Sequence, residues 1–163
     1  MAEYKDMSLE ELSSSNTFAG QLEDFKNFCL ERADQIYYEL VIAITNRIID
    51  KSPVDTGRFK ANWQYSVNAY GVNSLNQYDI SGMGPYGLGL EESYSRVDAK
   101  ADMRAEINGN RPKMGDTVYI YNNLIYSVPL EYGWSTQAPN GVVRTTLAFF
   151  NGDFTKTVGK LAI

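Results

Sequence analysis

The sequence contains no histidine, and this absence removes the usual base of Ser-His-Asp and Cys-His catalysis together with the commonest metal ligand. It contains a single cysteine, Cys29, which excludes an intrachain disulfide and a zinc site built from several Cys or His ligands. It also lacks a phosphate-binding loop, a GxSxG elbow and an HExxH motif. We therefore expect no cofactor, no metal and no enzymatic activity.

Long apolar runs and an excess of positive charge are missing as well. No run of about 18 apolar residues, the length that would cross a bilayer, is present. Residues 1–12 are acidic and contain no apolar segment, so we do not expect a secretory signal peptide. The formal net charge of −5 argues against general nucleic-acid binding and against an anionic membrane surface, because both attract Lys and Arg.

What is present is an ordinary globular composition, with 44% hydrophobic and 21% charged residues in 163. This length favours one domain and is sufficient to bury a core without disulfides. The chain has twelve tyrosines, and tyrosine suits surfaces that a partner partly buries. These tyrosines are compatible with subunit assembly and equally with a tyrosine-rich core.

The first part of the chain predicts an arm followed by one long helix. Residues 1–16 are polar and are expected to form a flexible arm, which leaves one domain at 17–163. Apolar residues recur at spacings of three, four and seven over 17–51, which is typical of an amphipathic helix. Asn16 or Thr17 can cap its start, and Pro53 disfavours its continuation. The apolar stripe comprises Leu22, Phe25, Cys29, Ile36, Leu40, Ile44 and Ile48, and we expect Cys29 to be buried.

The next segment predicts a turn, a strand and a long loop. Asp55 and Gly57 favour a turn, because Asp can bond the backbone two residues on and Gly accepts a positive φ. Residues 59–69 alternate between apolar and polar, which is typical of a half-buried antiparallel strand. Residues 70–92 contain five glycines and predict a loop. That loop is either a flexible insertion or a segment that orders against a neighbouring subunit.

Residues 93–108 carry two competing patterns. Alternation from Val97 to Ile107 suggests a strand, whereas the helix-forming residues favour a helix. Ser95 with Asp98 resembles a capping box, and Asn108-Gly109 resembles a helix C-cap. These apparent caps lead us to predict a helix.

The C-terminal third predicts a strand and further helix. Residues 117–121 are β-rich and predict a strand. Residues 124–127 either continue that strand or begin a turn of helix through 128–131 that closes at Gly133, and Asn140 can cap a last helix. The apolar residues of that helix are Val143, Leu147, Phe150, Phe154, Val158 and Leu161. Together these elements predict an α+β fold, with a long N-terminal helix and a C-terminal helix packed on a small antiparallel β-sheet and a long Gly-rich loop.

Two segments resemble a known family. They are PVDTGRFKANW at 53–63 and GDTVYIYNNL at 115–124, the latter running on through YSVPLEYG at 126–133 to Ala138-Pro139 and Val143-Arg144. In this order and spacing, over roughly residues 20–160, they are similar to the tail-component family of long-tailed bacteriophages. The family resembles phage neck proteins, described as tail-completion, tail-terminator or tail-to-head joining subunits.

The resemblance implies a non-enzymatic structural protein of the virion, located in the neck between head and tail and assembled in the host bacterial cytoplasm. Its implied partners are copies of itself in a ring, commonly sixfold, together with the tail tube protein and the head-closure or adaptor neck proteins. DNA would pass through the lumen of the ring without specific binding, and no membrane is implied.

The positions that match the family motifs are candidate fold or interface residues, namely Asp55, Thr56, Gly57, Arg58, Asn62, Trp63, Tyr126, Pro129, Glu131, Tyr132, Gly133 and Arg144. Gly57 and Gly133 are expected to adopt backbone angles that other residues avoid, and Asp55 to fix its turn. Trp63 is expected to pack against the long helix. Tyr126, Glu131 and Tyr132 are expected to form one tight unit, with Glu131 paired to Arg58 or Arg144. These residues either hold the subunit together or contact its neighbours.

Three other functions compete with a neck ring. A minor tail or baseplate subunit would also be a virion protein, and a monomeric module that binds a host protein would not need to assemble. A hydrolase could use carboxylates, and Asp55, Asp116 and Glu131 are its candidate residues.

Overall fold

The computed structural model describes residues 18–72, 75, 77–78, 95–96 and 98–161, and all structural statements below concern these residues. The predicted arm at 1–16, the proposed helix caps Asn16 and Thr17, and most of the Gly-rich loop at 70–92 lie outside them. The helices are α1 (Phe18–Lys51), α2 (Arg58–Ala61), α3 (Ala99–Gly109), α4 (Ser127–Glu131), α5 (Val143–Ala148) and α6 (Phe150–Leu161). The strands are β1 (Gln64–Val67), β2 (Gln77–Tyr78), β3 (Ser95–Arg96) and β4 (Val118–Tyr121).

Helix α1 confirms the prediction of one long helix that stops before Pro53. Its apolar stripe, however, is buried only in the C-terminal half, where Leu40 and Ile48 are buried and Ile44 is partly buried. Leu22 is 57% exposed and Cys29 is exposed, so the expectation of a buried Cys29 is wrong. The reason is that the core joins α1 only from Tyr37 onward, beyond these positions.

The predicted strand at 59–69 is wrong over its first half. Gly57 has a φ of 76°, and the chain then forms helix α2. Asn62, the C-cap residue of α2, donates from Nδ2 to the carbonyl oxygen of Arg58 at 2.6 Å. Asn62, expected on a polar face, is fully buried. The strand pattern was misleading because Phe59, Ala61, Trp63 and Tyr65 are all buried, as alternation demands, although a helical turn supplies the first two.

The two longer strands form a small antiparallel sheet, as predicted. Strand β1 pairs with β4 in a register that joins Tyr65 to Ile120 and Val67 to Val118. Asn68 ends β1 in a left-handed conformation with φ 59°, and its side-chain oxygen accepts from the Thr117 backbone N–H at 2.9 Å. Strands β2 and β3 form a separate two-residue parallel pair.

Helix α3 confirms the prediction of a helix within 93–108, although its ends differ. The Asp98 carboxylate caps it by accepting from the backbone N–H groups of Lys100 and Ala101 at 3.0 and 3.1 Å. Ser95 lies in β3, so the predicted capping box is wrong, and Gly109 is the last helical residue before its C-cap Asn110.

The C-terminal segment forms two helices, α5 and α6, that are interrupted at Phe149. Asn140 does not cap them, because the cap position of α5 is Val142. Four residues of the predicted apolar stripe, Val143, Leu147, Phe150 and Phe154, are exposed to solvent, Leu147 by 61% and Phe154 by 45%. Thr146, Asp153 and Thr157 are buried instead. These two helices therefore present a polar face to the protein and an apolar face to solvent.

The core lies between α1, α3, the β1–β4 sheet and the 124–142 segment, which confirms the α+β fold. Its buried members are Val41, Ile42, Ile48, Ile49, Phe59, Trp63, Tyr65, Ala99, Met103, Ile107, Leu124, Ala138 and Val142. Within the described ranges, no helix combines the length and the apolar character that crossing a membrane requires.

Candidate functional site

The turn after α1 and the segment around α4 pack against each other and bring the two family-like motifs together. The Gln137 side chain joins the Val54 backbone at two points, accepting from its N–H at 2.8 Å and donating to its carbonyl oxygen at 2.9 Å. Asn122 donates from Nδ2 to the Phe59 carbonyl oxygen at 2.9 Å. The rings of Phe59 and Tyr126 lie 6.4 Å apart. The motifs are thus one structural unit.

A cavity of about 230 Å³ lies where these motifs meet. Its lining is mixed, with Asp55 and Arg58 supplying charge and Phe59 and Leu130 supplying apolar surface. Of the three carboxylates considered for hydrolysis, only Asp55 lines this cavity. Glu131 instead caps a helix, and Asp116 accepts from the Asn68 side chain at 2.8 Å. Within the described residues, no group of three or more carboxylate or cysteine side chains could hold a metal ion.

The turn itself is held by backbone conformation and by Thr56. Gly57 adopts the positive φ that was expected of it, and the Arg58 N–H donates to Thr56 Oγ1 at 3.4 Å. The Asp55 carboxylate is exposed and forms no hydrogen bond to the described residues. The role expected of Asp55 therefore belongs to Thr56 and Gly57 in this structure.

Glu131 is the polar centre of the second motif. Its carboxylate accepts from the backbone N–H groups of Val142 and Val143 at 2.8 Å and of Arg144 at 2.9 Å, and so caps α5. Arg144 Nε lies 3.4 Å from Oε1, so of the two expected cationic partners it is Arg144 that pairs with Glu131. Burial alone would raise the pKa of Glu131, but these hydrogen bonds outweigh it and the pKa is lowered.

Two glycines allow this unit to close. Gly133 has a φ of 87°, as its expected backbone role requires, and a Cβ there would lie 2.4 Å from the Pro139 carbonyl oxygen. Gly141 has a φ of 78°, and a Cβ there would lie 2.4 Å from the Glu131 carbonyl oxygen. Side chains at either position would force the backbone apart. Gly141 was not singled out from the sequence, although its place after Asn140 is a common turn signal.

The aromatic residues of the second motif divide between the core and the surface. Tyr126 packs against the core, whereas Tyr132 is exposed and lies under the Arg144 guanidinium, 5.2 Å from the ring centroid. Pro129 supplies a carbonyl oxygen that accepts from the Tyr132 N–H at 3.1 Å. Tyr126, Glu131 and Tyr132 therefore lie in one segment that backbone hydrogen bonds hold together, and Tyr132 is at its surface.

Trp63 is buried, and its indole Nε1 donates to Ser52 Oγ at 2.8 Å. Ser52 directly follows α1, so this bond fixes the first motif to the end of the long helix, as expected for Trp63. Its ring packs edge-on against Phe59 at 5.6 Å. Trp63 and Phe59 are thus packed together at the end of α1.

Several large apolar side chains remain exposed around this unit and along the helices α1, α5 and α6. Val128 lies in α4 with Ile125 before it and Trp134 after it, and the exposed apolar residues of α1 and of α5–α6 add to them. Monomeric proteins seldom expose so many large apolar side chains on adjacent positions, and such surfaces mark interaction sites. No protein family, curated protein or solved structure matches this chain.

Proposed function

We propose that the chain is a structural subunit of a tailed-phage virion and that its copies close into a ring in the neck, between the tail tube and the head. The ring would meet the tail tube protein on one side and the head-closure or adaptor proteins on the other. The family resemblance of residues 53–63 and 115–144 motivates the phage assignment.

The observation that carries the proposal is the inverted polarity of α5 and α6. Thr146 is 2% exposed and Asp153 7%, while the apolar residues between them point outward. Leaving large apolar side chains in water forfeits about 1.5–3 kcal/mol for each that could be fully buried. A subunit that covers these side chains with a neighbour recovers part of this free energy, and a closed ring does so for every copy.

The packing of the two motifs supports the same conclusion. The motif residues make contacts within the subunit. Glu131 caps a helix, Gly133 lies close to the Pro139 backbone, and Trp63 forms a buried hydrogen bond. These features build a rigid subunit. The net charge of −5 further suits a lumen through which DNA slides, because an acidic wall repels phosphates.

Deletion of the coding sequence from the phage genome that carries it tests the proposal. We expect electron micrographs of lysates to show full heads and separate tails that fail to join, or tails of irregular length. Complementation with the wild-type chain should restore joined particles. Infectious particles of normal shape in the absence of the protein would refute the neck assignment, and a defect confined to the far end of the tail would favour a baseplate role.

A further inference from the structure

We infer that the exposed N-terminal half of α1 packs on the exposed face of α5 and α6 of a second copy of this chain. The inference rests on the proposed ring and names the contact within it. The α1 stripe is defined here by Phe18, Leu22, Phe25 and Cys29, and the α5–α6 stripe by Val143, Leu147, Phe150 and Phe154.

The α1 stripe is continuous with the core but is not covered by it. Its four residues follow spacings of four, three and four, so they share one face of the helix. The same face is buried further along, at Leu40 and Ile48. Because the core begins at Tyr37, the first turns of α1 offer an apolar surface about 16 Å long at 1.5 Å per residue.

The α5–α6 stripe is held outward by an ion pair on the neighbouring, buried side of α6. Arg47 Nε donates to Asp153 Oδ2 at 2.8 Å, and a second guanidinium nitrogen donates to Oδ1. Rotating α6 to bury Phe150 and Phe154 would break this bidentate pair and expose Asp153. The rings of Phe150 and Phe154 lie nearly parallel, with their centroids 6.3 Å apart, and both side chains are exposed.

Charge selects between the possible pairings of these stripes. Residues 18–31 carry three carboxylates, Glu23, Asp24 and Glu31, and one cation, Lys26, for a formal charge of −2. Residues 143–161 carry three cations, Arg144, Lys156 and Lys160, and one carboxylate, Asp153, for a formal charge of +2. Pairing α1 with α5–α6 therefore matches opposite charges, whereas pairing either stripe with its own copy opposes like charges.

The two surfaces are different parts of the chain, and this determines the kind of assembly. A contact between unlike surfaces leaves one of each free at the ends, so further copies add until the rotation closes a ring. The stripes are also similar in length, because each spans eleven residue steps along its helices. The second copy thus completes the apolar packing that α1 and α6 begin.

Cysteine pairing between full-length chains tests this contact, because Cys29 already lies on the α1 stripe. Wild-type chain is mixed with a variant carrying Cys29→Ser and Phe154→Cys, and the mixture is oxidised mildly. We expect a disulfide-linked heterodimer to form at least about tenfold faster than in the matched control, which carries Cys29→Ser and Arg104→Cys. Arg104 is exposed on α3, a helix that carries neither stripe. Equal rates for the two variants would overturn the inference, whether or not the protein forms rings.

Charge reversal provides a second test that leaves the packed core untouched. Lys156→Glu with Lys160→Glu should weaken self-association by about tenfold, and adding Glu23→Lys with Asp24→Lys should restore it. The control pair Arg104→Glu with Lys113→Glu changes the net charge equally and should have little effect. The inferred contact is wrong if the control pair weakens association as much as the Lys156 and Lys160 pair does. It is also wrong if the added Glu23→Lys and Asp24→Lys substitutions do not restore association. Rings that persist in the Lys156 and Lys160 variant would refute this contact while leaving the proposed function intact.

Discussion

Arg144 and Glu131 are joined through both backbone and side chain. The Arg144 N–H donates to Glu131 Oε1 at 2.9 Å, and the Arg144 guanidinium donates to the Glu131 carbonyl oxygen. The pair ties the end of α4 to the start of α5, across a loop that also closes on Gly133 and Gly141. One carboxylate thereby sets the direction in which α5 leaves the motif.

Replacing Glu131 tests this role. Glu131→Ala removes the acceptor of three backbone N–H groups at the start of α5, so the free energy of unfolding should fall by about 1–2 kcal/mol. Urea denaturation measures the change. Asp55→Ala is the control, since the exposed Asp55 forms no hydrogen bond to the described residues, and it should shift stability by less than about 0.5 kcal/mol. Equal losses in the two variants would contradict the capping role.

Replacing either of two glycines with alanine should change the stability of the fold, but in opposite directions. Gly133→Ala places a methyl group against the Pro139 carbonyl oxygen at a φ of 87°, and should destabilise the fold by at least about 2 kcal/mol. Gly152 lies within α6 with nothing within 4 Å of the added methyl, so Gly152→Ala should stabilise by about 0.5–1 kcal/mol. Thermal unfolding followed by circular dichroism distinguishes the two outcomes. A Gly133→Ala variant as stable as wild type would show that the backbone at Gly133 and Pro139 is not packed as closely as the structure has it.

Two hydroxyl groups that each donate to the carbonyl oxygen four residues earlier should differ in how much they contribute to stability. Ser52 Oγ donates to the Ile48 carbonyl oxygen and also accepts from buried Trp63, whereas Thr155 Oγ1 donates only to the Asn151 carbonyl oxygen on an exposed surface. Ser52→Ala should cost about 1–3 kcal/mol, since it leaves the indole N–H without its acceptor. Thr155→Ala should be close to neutral. Equal effects in chemical denaturation would argue against the anchoring of Trp63 at the end of α1.

Acid should weaken the fold through Glu131 and Asp153. The bond from Arg47 is the main cause that lowers the pKa of Asp153, and the pKa of Glu131 is lowered as well. Carboxyls with lowered pKa values bind protons more weakly in the folded state, so their stabilisation is complete above the unfolded pKa and is lost as the pH falls through the folded value. The free energy of unfolding should therefore fall below about pH 4.

The double variant Glu131→Gln with Asp153→Asn isolates these two groups. It should be less stable than wild type at neutral pH, and its stability should depend less on pH between about pH 5 and 2. Denaturant titrations at several pH values make the comparison. If the free energy of unfolding depends on pH equally in the double variant and in wild type, neither carboxyl contributes to the loss of stability in acid.

Local signals in the sequence predicted much of the fold. Pro53 marked the end of α1, the β-rich run at 117–121 marked β4, and helix formers marked α3. The strand predicted at 59–63 is wrong because the prediction rested on the alternation of apolar and polar residues alone. A left-handed Gly57 and the bond from Asn62 to Arg58 turn the same alternating residues into a helix, and neither is visible in the spacing.

Long-range pairs account for what the sequence did not predict. The outward orientation of the C-terminal stripe depends on Arg47 and Asp153, which are 106 residues apart. The joining of the two motifs depends on Gln137 and Val54, 83 residues apart. Amphipathic spacing identifies an apolar face, but it does not tell whether the chain itself or another copy covers that face.

The proposal that copies of this chain pack on one another is tested most directly by the mass of the purified full-length protein in solution. Sedimentation velocity over a wide concentration range, followed by negative-stain electron microscopy, measures it. We predict a concentration-dependent shift from single chains to one closed ring of uniform copy number. A single-chain mass at every concentration, with no rings in the micrographs, would contradict this account.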